Sequence, residues 1–306
     1  MRRINRIFLF SCICIVFIFG CGEPAKEPKP EETKYETTLN IGLIPEYDIF
    51  HQLKRFEPIA DYLSKKIQAN INLIILTRYG NIVDNFVSGG FDAAFFGSFT
   101  YTLAHSKIGV EVIARPETNL GVSEYYGMIF TRKDSGIRSV KDMEGKILAC
   151  VDKATTAGYL FPMAYLKKNK VTDYKTFFEE IYFTGTHEDA IYDVLNGRAH
   201  VGSAKNTVFY RLADKDPRII NELHIIAESP KVPENGLAVR KDLDESVKKK
   251  LKETLLNMHK ESDGVQILND FGVQRFIETT NADYINVYKM LNQLGLNLST
   301  YEYVNE

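Results

Sequence analysis

Ile147-Leu148-Ala149-Cys150-Val151-Asp152-Lys153-Ala154-Thr155-Thr156-Ala157-Gly158-Tyr159-Leu160-Phe161-Pro162 reads as a short apolar strand, a turn of small residues and the start of a helix. A helix N-terminus leaves its first N–H groups without internal acceptors and carries roughly half a positive charge. With two threonine hydroxyls beside those N–H groups, the turn suits an anion without any full-charge residue. A threonine N-cap followed by a glycine for tight packing explains the same turn with no ligand at all. The rest of the chain has to decide between the two.

Outward from this unit, apolar runs bounded by turn residues alternate with helix-period stretches, the pattern of an α/β chain. Strands are expected at 39–44, 72–76, 91–96, 111–114 and 126–131, then at 147–151, 181–183, 201–203 and 223–227. Helices are expected at 56–67, where Ile59, Ala60, Leu63 and Ile67 share a face, and at 82–87, 159–168, 190–195 and 283–294. From Asp242 onward Val247, Leu251, Leu255 and Met258 form another helical stripe. Two clusters follow, one built from 39–127 and 237–306, the other from 128–236. The chain is expected to cross between them at 128–132 and again near 229–236, where Pro230, Pro233 and Gly236 punctuate it. Two α/β lobes with two hinge crossings make a clamshell, an architecture that traps a ligand by closing on it.

The first residues bear on location. Met1-Arg2-Arg3-Ile4-Asn5-Arg6 is basic and precedes an apolar run ending at Gly20, which marks residues 1–20 as a secretory signal too short to be a permanent span. Ile18-Phe19-Gly20-Cys21 resembles the lipobox of bacterial lipoproteins, in which the cysteine is acylated and becomes the first mature residue. Phe19 is bulkier than that motif usually allows, and an ordinary signal with an incidental cysteine is the alternative. Residues 21–38 open with a charged, Pro-rich stretch that cannot bury enough apolar surface to fold and reads as a tether. The expected mature protein is acidic, its formal charge passing from −2 to −5 once Arg2, Arg3 and Arg6 are removed. That balance disfavours nucleic acid. Cys150 is the one cysteine left beyond Cys21, so the mature domain has no internal disulfide and depends on its core.

Three further turns have the form of the first. Phe95-Phe96-Gly97-Ser98-Phe99-Thr100-Tyr101 and Phe183-Thr184-Gly185-Thr186-His187-Glu188-Asp189 each run from a strand into a helix, and Pro45-Glu46-Tyr47-Asp48 follows the first strand. In an open α/β sheet, ligands bind beyond the carboxyl ends of the strands, where such turns gather. Together with Phe91–Gly97, Arg132–Ile137, Thr155–Pro162, Gly185–Ile191 and Ser229–Pro233, they make the chain resemble the phosphonate- and phosphite-type solute-binding proteins of bacterial ABC importers over roughly 41–242. That family has the type II periplasmic-binding-protein fold.

The resemblance implies an extracytoplasmic, monomeric binding protein without enzymatic activity, cofactor or metal, holding a small oxyanion between its lobes and delivering it to a permease. A sensory protein reporting the same ligand to a membrane kinase or cyclase is the alternative. Ligand contacts are implied at Tyr47, Ser98, Tyr101, Thr155, Thr156, Ala157 and His187. Ala157 stands where the family has a serine, Ser98 replaces a proline, and Ala199-His200 replaces an Ala-Asp pair. Family members that take aminoalkyl phosphonates hold the amine with acids. Between Val201 and Leu212 this chain has none and carries Lys205-Asn206, which points to an anion without an amine. No dinucleotide fingerprint, Walker loop or G-x-S-x-G is present.

Overall fold

The computed structural model describes residues 35–46, 49–80 and 82–305. The expected signal segment, Cys21, most of the expected tether, Tyr47 and Asp48 lie outside the described residues. In chain order the strands are β1 (Thr38–Leu43), β2 (Asn70–Ile75), β3 (Ala93–Phe96), β4 (Glu111–Glu117), β5 (Glu124–Tyr125), β6 (Gly127–Arg132), β7 (Ile147–Cys150), β8 (Glu180–Phe183), β9 (Val201–Lys205), β10 (Leu223–Glu228), β11 (Val232–Pro233), β12 (Gly236–Val239) and β13 (Arg275–Glu278). They form a six-stranded sheet in the order β13-β4-β12-β3-β1-β2 and a five-stranded sheet in the order β10-β6-β9-β7-β8. Each sheet is the floor of one lobe.

The lobes are joined by a two-stranded ribbon in which Tyr125 pairs with Val232 and Glu124 with Pro233. The first crossing therefore lies at β5, upstream of the expected 128–132. Residues 128–132 are inside β6, paired antiparallel with β9 and β10 in the second sheet. The reason is geometric: β6 leaves the ribbon already inside the second lobe, just as β12 re-enters the first lobe antiparallel to β3 and β4. At the other end, the Asn70 side chain bonds the backbone of Tyr35 in both directions, at 2.7 and 3.2 Å, so the fold begins before residue 39.

Alternation along β1 puts Leu39, Ile41 and Leu43 into an outer core with Phe56, Ile59 and Leu63 of the Ile49–Ile67 helix. That helix starts earlier than expected and carries Pro58 inside it. The second lobe has a matching outer core of Met128, Phe130, Ile191, Val194 and Phe209. Between them, Phe96 and Phe99 of the first lobe share one apolar cluster with Leu148, Cys150 and Leu160 of the second. The lobes are thus closed against each other over an apolar contact.

The C-terminus strengthens that contact. The Glu245–Asn257 and Ser262–Phe271 helices return to the first lobe as expected, but the Ile285–Leu294 helix packs on Phe161–Lys168 of the second. Beyond it the chain is strapped to both sides. Tyr301 donates to the Lys153 carbonyl at 2.8 Å, Asn305 to Asp152 at 3.1 Å, and Tyr303 to Asp84 at 2.8 Å. The Tyr301 ring also lies 5.4 Å from that of Phe99. Replacing Tyr301 with Ala removes ring and hydroxyl together and is expected to cost about 2 kcal/mol in urea unfolding, toward the low end for an aromatic truncation because the ring is half-buried. A change under about 0.5 kcal/mol would show that the strap contributes no stability.

Candidate functional site

Strands β1, β3, β7, β8 and β9 end around one small cavity between the lobes. Four of them lead directly into helices. Ser98–Ile108 follows β3, a π-helical turn Thr156–Leu160 running into Phe161–Lys168 follows β7, His187–Leu195 follows β8, and Asn206–Ala213 follows β9. Four helix N-termini therefore lie near it, each carrying a fraction of a positive charge; of their first N–H groups, that of Phe99 is held by Thr156, that of Asp189 by Thr186 and that of Asn206 by the Tyr126 carbonyl.

Local sequence explains the turns. Gly158 is required after β7, because a Cβ there would collide with the Val151 side chain and the Thr155 hydroxyl. Gly185 takes φ +81, a left-handed conformation that lets the chain turn between β8 and its helix. Thr186 caps that helix by accepting from the Asp189 N–H at 3.0 Å.

The cavity gathers Ser98, Thr155, Thr156 and His187 from the expected set, and each is buried. Their bonds are specific. Thr156 Oγ1 accepts the Phe99 N–H at 3.0 Å, tying one helix N-terminus to the other across the lobes. Thr155 Oγ1 donates to the Asp152 carbonyl at 2.7 Å, and Ser98 Oγ to the Pro233 carbonyl at 2.5 Å. The Ser98 side chain is therefore committed to the hinge ribbon. His187 Nδ1 faces the Lys205 N–H at 3.3 Å. Opposite a backbone donor Nδ1 can only accept, which puts the ring proton on Nε2.

Two expected residues are elsewhere. Tyr101 does not line the cavity; its ring packs 4.3 Å from Tyr284 and is stacked on His105 at 5.6 Å. Three residues past Ser98 it stands almost a full turn, about 4.5 Å, down the helix from the end that meets the cavity, among the first-lobe aromatics. Ala157 also stands behind the lining, with its Cβ against Gly127 and its carbonyl accepting from Ser203 at 2.6 Å.

Residues given no ligand contact from sequence also line the wall: Glu46, Tyr79, Tyr125, Asn235 and Lys205, the last noted from sequence only as a sign of a ligand without an amine. Lys205 Nζ lies 3.0 Å from Glu46, 2.6 Å from Glu234 and 4.4 Å from the centre of the Tyr125 ring. Tyr79 Oη is buried and, among the described residues, has no hydrogen-bond partner. Glu46 and Lys205 were legible in principle, each falling just beyond or at the end of a strand that meets a helix. Tyr79 sits in an irregular loop with no periodicity to place it.

Burial would raise the Glu46 carboxyl, but the Lys205 ammonium holds it below its ordinary range. Burial would lower Lys205, and Glu234 and Glu46 hold it well above. Burial, with Lys205 beside it, pushes His187 down to about 3. Burial drives Tyr79 and Tyr125 up. The cavity thus presents a neutral imidazole, neutral phenols and an internally compensated ammonium. Among the described residues no group of three or more His, Cys, Asp or Glu is placed to hold a metal, and no helix is long and apolar enough to cross a membrane. Cys150 is buried, its thiol pushed up to about 12 by that burial, so it supplies no nucleophile.

A sequence profile described as the periplasmic phosphonate substrate-binding protein of ABC transporters matches residues 41–284. The chain belongs to that family. It is a substrate-binding transport component acting outside the cytoplasm, not an enzyme. It is 23% identical over 260 residues to the phosphonates-binding periplasmic protein of Escherichia coli K12, covering 83% of this chain and 76% of that one. It is 25% identical over 238 residues to the phosphate-import protein PhnD of Mycolicibacterium smegmatis, covering 73% and 74%. In structure it is similar to PhnD1 of Prochlorococcus marinus in complex with methylphosphonate, with a TM-score of 0.73 and 23% identity over 85% of this chain and 98% of that one. The fold is the two-lobed fold of these proteins.

The His187 assignment has a pH consequence. Its folded pKa lies below the unfolded 6.5, so the unfolded state takes up a proton first and stability falls as pH drops from 6.5 toward 3. At pH 5 the loss relative to pH 7.5 is expected to be about 2 kcal/mol, and it should vanish in His187→Gln. Nitrogen-15 NMR of the wild type should show a neutral ring protonated on Nε2 throughout pH 5–8; a ring titrating near 6.5 would contradict the geometry.

Proposed function

We propose that this protein is a lipid-anchored, extracytoplasmic solute-binding protein that closes on a phosphonate, phosphite or related small oxyanion and delivers it to an ABC permease. The observation that carries the reading is the Tyr79 hydroxyl, buried and without a partner among the described residues, on the wall it shares with His187, Thr155 and Thr156. An unpaired buried hydroxyl costs roughly 1–3 kcal/mol, and an arriving acceptor removes that cost. Phosphorus oxyanions offer several strong acceptors, and the related proteins are named for phosphonates and phosphate or hold methylphosphonate.

In this reading His187 Nε2–H and Tyr79 Oη–H donate from two sides, and the first-turn N–H groups of Ser98, Thr156 and Ala157 donate from the helix ends. The Thr155 hydroxyl turns from the Asp152 carbonyl to the charged acceptor, the stronger partner. Thr156 holds the lobes together through Phe99, and Tyr101 seats its helix from behind. Tyr47, in the loop after β1, is assigned a contact from the first lobe. Several charge-assisted bonds plus closure are enough for a Kd near ~1 µM, about −8 kcal/mol. Cys21 carries the anchor and the residues after it form the tether.

Tyr79→Phe separates ligand binding from folding. It should leave the stability of the ligand-free protein unchanged or slightly raised, while weakening methylphosphonate or phosphite binding in calorimetry by about 1–2 kcal/mol. Equal affinity for the two proteins would remove Tyr79 from the site. For the anchor, Cys21→Ser is expected to move the expressed protein from the membrane fraction to the soluble extracytoplasmic fraction, and an unchanged membrane fraction would contradict acylation at Cys21.

A further inference from the structure

Lys205 projects from the end of β9 in the second lobe and is only 4% exposed. Its ammonium sits between Glu46, beyond β1, and Glu234, on the hinge, with the Tyr125 ring 4.4 Å away. Two carboxylates and an aromatic face around one nitrogen are what a protein uses to seat an alkylammonium ion. Here the seat borders the oxyanion cavity directly, because Glu46, Tyr125 and Lys205 line that cavity with His187 and Tyr79. Two carboxylates face this one ammonium, with the Arg55 guanidinium a further positive group acting on Glu46, and burial makes an unmatched charge expensive.

We propose that Lys205 is a built-in cation that fills an alkylammonium seat, so that the native site selects oxyanions without an amine and loss of the side chain converts it into a site for ω-aminoalkyl phosphonates. The inference rests on the oxyanion reading for its second half only; the seat itself is a property of Glu46, Glu234 and Tyr125. A plain latch is the competing account. Lys205 and Glu46 belong to opposite lobes, so removing the lysine also weakens closure, and a latch alone would weaken every ligand by the same factor.

The experiment compares affinities for 2-aminoethylphosphonate and its near-isostere propylphosphonate in wild type and Lys205→Ala, with methylphosphonate as reference. Wild type should bind methylphosphonate and show no preference for the amine over the propyl compound. Lys205→Ala should prefer the amine by about thirty-fold, the order of a charge-assisted hydrogen bond. An unchanged ratio in a folded Lys205→Ala overturns the proposal in favour of the latch, and so does a wild-type preference for the amine of about ten-fold or more, a test that needs no variant. A second arm needs no oxyanion. Propylammonium, which replaces the missing part of the side chain, should raise the melting temperature of Lys205→Ala, while propanol and sodium chloride should not. Absence of that rescue rejects the seat. Rescue by propylammonium in a protein whose wild type binds no oxyanion rejects the oxyanion reading and keeps the seat.

Discussion

Water must be replaced when an anion is enclosed, and in the proposed site the replacement comes from dipoles rather than from free positive charge. The one ammonium in the cavity wall is already held by Glu46 and Glu234, and His187 is neutral. What remains is four helix N-termini, a ring N–H and phenol hydroxyls, arranged where five strands end. Everything else in the fold serves that convergence. Parallel strands β1, β3, β7, β8 and β9 bring their carboxyl ends to one place, and the ribbon of β5 and β11 turns the two sets toward each other. Dipolar donors have a functional advantage over a salt bridge: they bind strongly only when water is excluded, so opening the lobes weakens the grip.

Closure is built from several unlike contacts. Thr156 meets the Phe99 N–H, Lys205 meets Glu46, the apolar cluster runs from Phe96 to Leu160, and the C-terminal strap crosses from Asp84 to Lys153. None is large, and stability of a closed state assembled from small terms can be tuned by a ligand worth a few kcal/mol. The strap is notable because Tyr301, Tyr303 and Asn305 lie at the very end of the described chain, far in sequence from the residues they join.

The sequence made the strand–turn–helix units legible because short apolar runs ending in Gly, Ser and Thr have few other readings; Ile147–Cys150 with its Thr155 turn and Phe183 with its His187 turn are both where the pattern puts them. It hid what depends on juxtaposition. The hinge was misplaced because β6 looks the same whether it crosses between lobes or lies in one, and pairing with β9 decides the matter. β12 and β13 are four residues each and lie among helical segments, too short for a period to register. A contact at Tyr101 is implied by the resemblance alone, and in the fold its ring packs on Tyr284 in the core. Tyr79 and the Glu46–Lys205–Glu234 group became visible only when distant segments met, since no local rule links residues 46, 79, 205 and 234.

The most direct measurement is a crystal structure of the protein grown with methylphosphonate. The account requires the phosphonate oxygens to lie within hydrogen-bonding distance of His187 Nε2, Tyr79 Oη and the N–H groups at the start of the Thr156 helix, with Lys205 still on its two carboxylates. Density for the ligand outside the cleft, or a phosphonate bound directly to the Lys205 ammonium, would contradict it.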